Sequence, residues 1–508
     1  MARGAYDELC SLLAKAGTLH GVYSVLTWDQ ETYMPPGAAA GRAEQVALIA
    51  ELHHQRRTDP RIGALLAQCE SDGALTSDAR TAANLREMRR DYDLATKLPD
   101  DLVAELARVA SQAQDEWKRA KKADDFKAFA PWLEKMYELS RRKAECYGVP
   151  AGGELYDALL DEYEPGMTAR QIEATFTPLR ARLSDLIARV RATKKKIPGE
   201  FLKAKVDPAV QHRFGLEVIG ALGFDLHSGR LDTTTHPFCS EMGPHDTRLT
   251  TRYREQGFTD ALYSTMHEAG HGMYDQGVPK EDEGRSIYGQ PLSQSISLGI
   301  HESQSRMWEN FVGRSRAFWA WALPRAKKTF GKGLGRVGVD QMFAAVNTVT
   351  PSLIRVESDE GTYNLHVMIR FELERALMSG DLKPRDVPGE WNARYKQYLG
   401  VKVPDDARGC MQDVHWSAGL IGYFPTYTLG NLYAAQFWET IRSQIKDLDK
   451  QIARGKFGAL KTWLNTNIHA PGRQFRAAEL CERVTGKPLS AEPLLRHLTA
   501  KAEAVYGI

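Results

Sequence analysis

Apolar residues recur three and four apart through most of this chain. In Leu102-Val103-Ala104-Glu105-Leu106-Ala107-Arg108-Val109-Ala110 they mark one face while charges fill the remainder, the pattern of an amphipathic helix. Similar blocks run through most of residues 38–190 and again over 430–505, for example Ala434-Ala435-Gln436-Phe437-Trp438-Glu439-Thr440-Ile441. No repeat of about 30–50 residues emerges among them, which argues against a solenoid. One stretch breaks the helical period. Between Gly223 and Tyr253, the runs Thr233-Thr234-Thr235-His236-Pro237-Phe238 and Arg248-Leu249-Thr250-Thr251-Arg252 are rich in β-branched residues around a Gly243-Pro244 turn, predicting a small antiparallel ribbon. The expected architecture is mostly α and a single unit over residues 1–508: helical over 1–222, a ribbon and central core over 223–430, and further helices over 431–508.

Composition agrees with a folded chain. At 508 residues, 43% hydrophobic and 26% charged, it can bury a large core without disulfides. Lys plus Arg at 67 against Asp plus Glu at 65 gives a net charge of +2, too balanced for a phosphate-tracking surface, so nucleic acid is not the expected partner. Two acids, Asp7 and Glu8, stand where a secretory apolar region would begin, and no apolar stretch of about 18 residues stands out, so neither export nor a membrane partner is expected. The six cysteines, Cys10, Cys69, Cys146, Cys239, Cys410 and Cys481, are scattered without a CxxC pair and read as reduced thiols of a cytoplasmic protein. The basic run Lys194-Lys195-Lys196 reads as a solvated helix end, and Gly331-Lys332-Gly333-Leu334-Gly335 lacks the spacing of a phosphate loop.

The chemistry is concentrated in His267-Glu268-Ala269-Gly270-His271, an HExxH motif in a helix expected to open near Thr259-Asp260 and close at Gly277. Residues four apart lie about 40° from each other around a helix, so both imidazoles can grip one ion while Glu268 faces the ion's water. A chain with 14 histidines holds about 0.4 such pairs by chance, and about one in forty with Glu in second place. The bland alternative is two histidines satisfied inside a helical core. Gly270 and Gly272 each cost about 1 kcal/mol relative to Ala, which predicts a close approach by another backbone, by substrate or by a packed helix.

A catalytic zinc needs three protein ligands and an open position. Glu302, 31 residues beyond His271 within His301-Glu302-Ser303-Gln304-Ser305-Arg306, is the third candidate. Its alternative is an i,i+4 surface pair with Arg306. His301 is a rival ligand, but it points about 100° away from Glu302 and is expected to support the site from behind.

With these motifs the chain resembles the carboxypeptidase Taq family of zinc-dependent exopeptidases, from near residue 20 to about 430. Besides HEAGH and HESQS it carries Trp28-Asp29, Thr32 and Met34-Pro35 with Arg42-Ala43 and Gln45, then His236-Pro237-Phe238 and Asp246-Thr247-Arg248-Leu249-Thr250. Further on come Ile354-Arg355-Val356-Glu357-Ser358-Asp359, Gly409-Cys410-Met411-Gln412-Asp413-Val414-His415-Trp416 and Gly422-Tyr423-Phe424. Ser358 stands where the family pattern has Ala, leaving Arg355 and Asp359 in place. The resemblance implies a saddle-like helical subunit with a long substrate groove, a small sheet near the metal, a homodimer, and a general fold shared with neurolysin and angiotensin-converting-type peptidases.

It also implies roles. His267, His271 and Glu302 would hold one zinc per subunit, with cobalt a possible substitute. Glu268 would serve as general base and then acid in hydrolysing the last peptide bond of a peptide with a free C-terminus. His236, His415 and Tyr423 are candidate donors to the developing oxyanion. Their alternatives are a backbone-bonded loop histidine, packing against Trp416, and a core tyrosine. Recognition of a terminal carboxylate suits an arginine fork, with Arg355 chosen first and Arg248 second. Structural pairing of Arg355 with Glu357 or Asp359, and of Arg248 with Asp246, is the alternative in each case. Two other functions remain open from the residues: an oligopeptidase or dipeptidyl-type enzyme on the same scaffold, and a binding protein with an unused metal site.

Overall fold

A computed structural model describes residues 2–508. Pro35 and Pro36 interrupt the first helical run, so helix α1 (Ala2–Thr32) turns back into α2 (Ala39–Arg57). Arg42 clamps the hairpin, donating to Asp29 Oδ2 at 2.6 Å, to the Leu26 carbonyl at 2.6 Å and to Gln45 at 3.1 Å. Three positions of the Trp28–Gln45 motif therefore meet in space. Asp59 caps α3 (Pro60–Glu70), and Leu9, Leu65, Leu66 and Met88 form a small core beneath this N-terminal layer. The expectation of no long apolar stretch needs correction here. Within Gly4–Thr32 an 18-residue window reaches a mean hydropathy of 1.2, which makes the helix long and apolar enough to cross a membrane by length and composition alone. Its buried face includes Leu9, Ala16 and Trp28, and it packs on α2, α3 and the sheet.

The helices expected over 38–190 are present. In Asp100–Ala123 the buried stripe is Leu102, Val109, Ala113 and Ala120, and a Thr168/Gln171 capping box opens Ala169–Ala192. Lys194–Lys196 follow that helix on the surface, and Lys195 reaches the Val505 carbonyl at 2.6 Å.

The expected ribbon is a three-stranded mixed sheet: β1 (Gly229–Thr233), β2 (Cys239–Gly243) and β3 (Asp246–Thr251), in the order β1-β3-β2. The β2–β3 hairpin around Gly243-Pro244 is antiparallel as expected, but β1 runs parallel to β3. The reason is the crossing segment. Thr234 donates its N–H to the Thr251 carbonyl at 3.0 Å, so the chain passes over the end of β3 before β2 begins.

The sheet lies against the HExxH helix, Phe258–Gly277, whose limits match the sequence expectation. At Gly272 a Cβ would come within 2.8 Å of Leu249 on β3 and of Phe224. On the helix's other side runs Leu298–Arg306, capped by Ser297 and continued by a π-turn over Met307–Val312. The long helix Pro425–Gln444 covers that segment, and its Gly430, Leu432, Tyr433 and Phe437 are buried. The C-terminal helices through Glu492–Tyr506 then close the main apolar cluster, which runs from Ala120 to Tyr506.

Candidate metal centre

Helical spacing places His267 and His271 on one face with ring centroids 4.9 Å apart. Both Nε2 atoms turn toward one oxygen of Glu302, at 3.5 and 3.4 Å, and the three candidate donor atoms all lie within 4.8 Å of one another. Two glycines make this approach possible. A Cβ on Gly270 would sit 2.5 Å from the Gln304 carbonyl oxygen and 2.6 Å from Ser305 Cα, and a Cβ on Gly430 would sit 2.5 Å from Glu302 Cγ. Glu302 is thus held between two helices that each lack a side chain where it passes. The close approach expected at Gly270 is by backbone, whereas Gly272 admits side chains.

The Arg306 pair expected as an alternative is present at the same time. Arg306 Nε donates to Glu302 Oε1 at 2.7 Å, leaving Oε2 for the histidines and for Ser305 Oγ at 3.0 Å. Burial pushes the Glu302 carboxyl up, but Arg306, His267 and His271 outweigh it and hold the group well below the usual carboxylate range. An ionised carboxylate facing two imidazoles is suited to a cation.

His267 is oriented through its other nitrogen. Nδ1 lies 2.9 Å from Glu309 Oε2, and Glu309 is itself bonded by Arg306 at 3.1 Å and Arg314 at 3.4 Å. His301 does not join the three donors. It stacks on His271 at 4.2 Å between ring centroids and bonds Asp275 Oδ1 at 3.1 Å, matching the supporting position expected for it. Glu164, fully buried, accepts from the Gly299 N–H at 3.0 Å and the Tyr433 hydroxyl at 3.1 Å, anchoring the first turn of the Glu302 helix. Glu268 is 7% exposed, and burial foremost raises its carboxyl to about 7. A carboxyl balanced near neutrality can take up a proton and release it again.

The other sequence candidates divide. Arg355 is buried, but against neither Glu357 nor Asp359: Nε and Nη2 donate to Asp413 Oδ1 at 3.0 and 2.8 Å, and Nη1 to the Tyr363 hydroxyl at 2.9 Å. Three of the five N–H groups of a guanidinium are thereby used, leaving one on each terminal nitrogen. Asp413 also accepts from Arg370 at 2.8 Å. His415 packs at 4.3 Å on Phe424, its Nε2 lies 3.2 Å from the Tyr427 hydroxyl, and its buried Nδ1 has no partner. Burial, then Arg355, lowers His415 to about 3, so the ring is neutral. The Tyr423 ring lies 5.5 Å from that of His415 and 5.4 Å from that of Tyr427, and burial, reinforced by Glu302, raises its hydroxyl to about 12. Arg355, His415 and Tyr423 thus gather on the Glu302 side of the triad. Arg248 does not: it is held by Asp246 at 2.8 and 2.7 Å and lies 4.3 Å over Trp28. His236 is exposed in the segment between β1 and β2.

Sequence reasoning missed Glu309, Asp275, Glu164, Asp413, Tyr427 and Gly430. Asp275 was within reach, four residues after His271 on the same helix face. Asp413 sits inside a recognised motif without an assigned role. Glu309 lies within a π-turn, which no α-helical spacing rule would find.

On the Asp275 side a cavity of about 590 Å³ opens, lined near the triad by Asp275, Cys239 and Ser295. All six cysteines are free.

The family model described as carboxypeptidase Taq (M32) metallopeptidase matches residues 8–502. The chain is 45% identical to thermostable carboxypeptidase 1 of Thermus thermophilus over 99% of both chains, and 34% identical to carboxypeptidase 1 of Bacillus subtilis over 98% of both. Among solved structures it resembles an M32 carboxypeptidase from Deinococcus radiodurans, with a TM-score of 0.95 and 42% identity, covering 99% of this chain and 100% of that one.

Proposed function

The chain belongs to the carboxypeptidase Taq (M32) metallopeptidase family and is a metallocarboxypeptidase, and from that premise we propose that it releases single residues from peptides with a free C-terminus, using one zinc ion held by His267, His271 and Glu302. The observation that carries this reading is the convergence of those three donors within 4.8 Å, with Glu268 beside them on the same helix. Two imidazoles and an ionised carboxylate suit zinc, and cobalt is accepted by the same donor types.

When bound, the ion supplies a Lewis acid that polarises the scissile carbonyl and eases deprotonation of the attacking water. Glu268 takes that proton and returns it to the leaving amine as the C–O bond replaces the C–N bond. Tyr423, protonated throughout the working range, and neutral His415 are the candidate donors to the developing oxyanion. Arg355 keeps two N–H groups for the terminal carboxylate, while Asp413 and Tyr363 fix its plane. Family resemblance supports a homodimer, which sedimentation would test, and the free cysteines suit a cytoplasmic location.

The test is mass spectrometry of N-blocked free-acid peptides and their C-terminal amides, with chelator and with zinc or cobalt restored. Stepwise loss of single residues from the acids alone, abolished by chelator, is the expected result. Equal cleavage of amides would remove Arg355 from its role and favour an oligopeptidase.

A further inference from the structure

The cavity beside Asp275 is one contact removed from the triad, through the His301 ring that bonds Asp275 and stacks on His271, and it extends to the α1–α2 hairpin, whose His20, His53 and Arg57 also line it. Most charges along its wall are already matched. Arg90 pairs with Asp161 at 2.8 Å, Arg473 with Asp91 at 2.8 Å, Glu162 with Lys143 at 2.7 Å, Glu241 with Lys280, and Asp275 with His301 at 3.1 Å. Arg57 is the exception: among the described residues no carboxylate lies within 4 Å of it. Asp91, an acid whose charge Arg57 influences, has both oxygens engaged by Arg473, at 2.8 and 2.9 Å. The His20 and His53 rings stand 5.5 Å apart beside it. Burial, then Arg57 itself, lowers both imidazoles, His53 to about 4, so they add no charge at neutral pH. This end of the cavity therefore presents one unmatched guanidinium, with a planar fork suited to a carboxylate.

The direction of a bound peptide follows from the two sides of the triad. Arg306 contacts Glu302 and lies 4.5 Å over Tyr363, whose hydroxyl meets Arg355. On the opposite side His301 stacks on His271 and bonds Asp275, at the cavity mouth. A peptide with its terminal carboxylate at Arg355 and its last peptide bond at the triad leaves toward Asp275.

We propose that this cavity takes the chain upstream of the scissile bond and that Arg57 selects an acidic side chain there, making it a specificity-determining residue. The inference rests on Arg355 holding the C-terminus.

The experiment uses N-acetyl alanine peptides ending in free Leu, with one Glu, Gln or Lys placed in turn at each upstream position, and reads kcat/KM for the first residue released. At one position Glu exceeds Gln by about three- to tenfold and Lys falls below Gln, the range expected of a partly exposed charge pair. The Glu/Gln ratio shrinks toward one in about 0.5 M salt. Arg57→Gln abolishes the ratio at that position, and Arg57→Glu inverts it in favour of Lys. A wild-type enzyme indifferent to the charge at every position, or a preference that survives Arg57→Gln, overturns the inference while leaving Gln peptides normally trimmed. Failure to trim the Gln peptides from the C-terminus, or equal cleavage of their amides, overturns the Arg355 premise and this inference with it.

Discussion

On the Glu302 side of the triad, Arg355 and Arg370 share Asp413, Arg306 joins Glu302 to Glu309, and the rings of Tyr363, Tyr423 and Tyr427 fill the gaps. On the Asp275 side, a cavity of about 590 Å³ is lined by Arg57, which among the described residues has no carboxylate within 4 Å. One side resembles a folded core into which a single carboxylate can fit; the other resembles a trough in which many sequences can lie. The difference matches what an exopeptidase must do: demand one chemical group at the chain end and stay permissive about what precedes it. Buried charges serve the first task because they are fixed by several bonds each, and a half-buried one without a carboxylate partner serves the second because its contribution is small.

Removing the pivot between the sides has the largest effect. Glu268→Gln is expected to lower kcat by about 10²–10⁴-fold with metal content unchanged by elemental analysis; near-normal turnover would place the base elsewhere. Asp413→Asn tests the dense side, because it leaves Arg355 and Arg370 buried with diminished pairing and is expected to cost about 3–5 kcal/mol in denaturant unfolding. Burial raises the Asp413 carboxyl, but Arg355 and Arg370 outweigh it and hold it far below its ordinary value. Its contribution to stability is therefore full above about pH 4 and lost as the pH falls toward the folded value. The wild type is expected to lose stability more steeply with acid than Asp413→Asn, and parallel acid limbs would show the pair to be unimportant. Arg355→Ala is expected to reduce kcat/KM on free-acid peptides about a hundredfold with metal retained, and an unchanged value would take it out of the site. Glu309→Ala is expected to weaken metal affinity about 10–100-fold in a chelator competition. If binding holds, the orientation of His267 does not depend on that contact. Arg248→Ala, whose guanidinium is held by Asp246 over Trp28, is expected to change kcat/KM by less than about threefold, and a larger loss would add the sheet to the recognition surface.

Much of the dense side was legible because its chemistry is local. His267, Glu268 and His271 follow one helical period, and Glu302 sits in a short motif whose residue types allowed both a ligand and the i,i+4 pair with Arg306 that is present. What escaped depends on distance along the chain. Arg355 was matched with Glu357 or Asp359 because they are near in sequence, whereas its partner Asp413 arrives 58 residues later. Glu309 lies within a π-turn, and the parallel setting of β1 is decided by which edge of β3 the crossing segment reaches. Arg57 could not be singled out from sequence because being unmatched is a property of the assembled wall: every basic residue has acids somewhere in the chain. The apolar content of α1 was likewise underestimated because Lys15 and His20 divide it to the eye.

The two glycines that admit Glu302 are about 160 residues apart in the chain. The groove around the third ligand is complete only when Pro425–Gln444 has docked, so a nascent chain that has not yet reached that helix lacks one wall of the ion's seat. During synthesis from the N-terminus the metal seat therefore stays open until that helix has emerged, and the helices that close the apolar cluster follow later still.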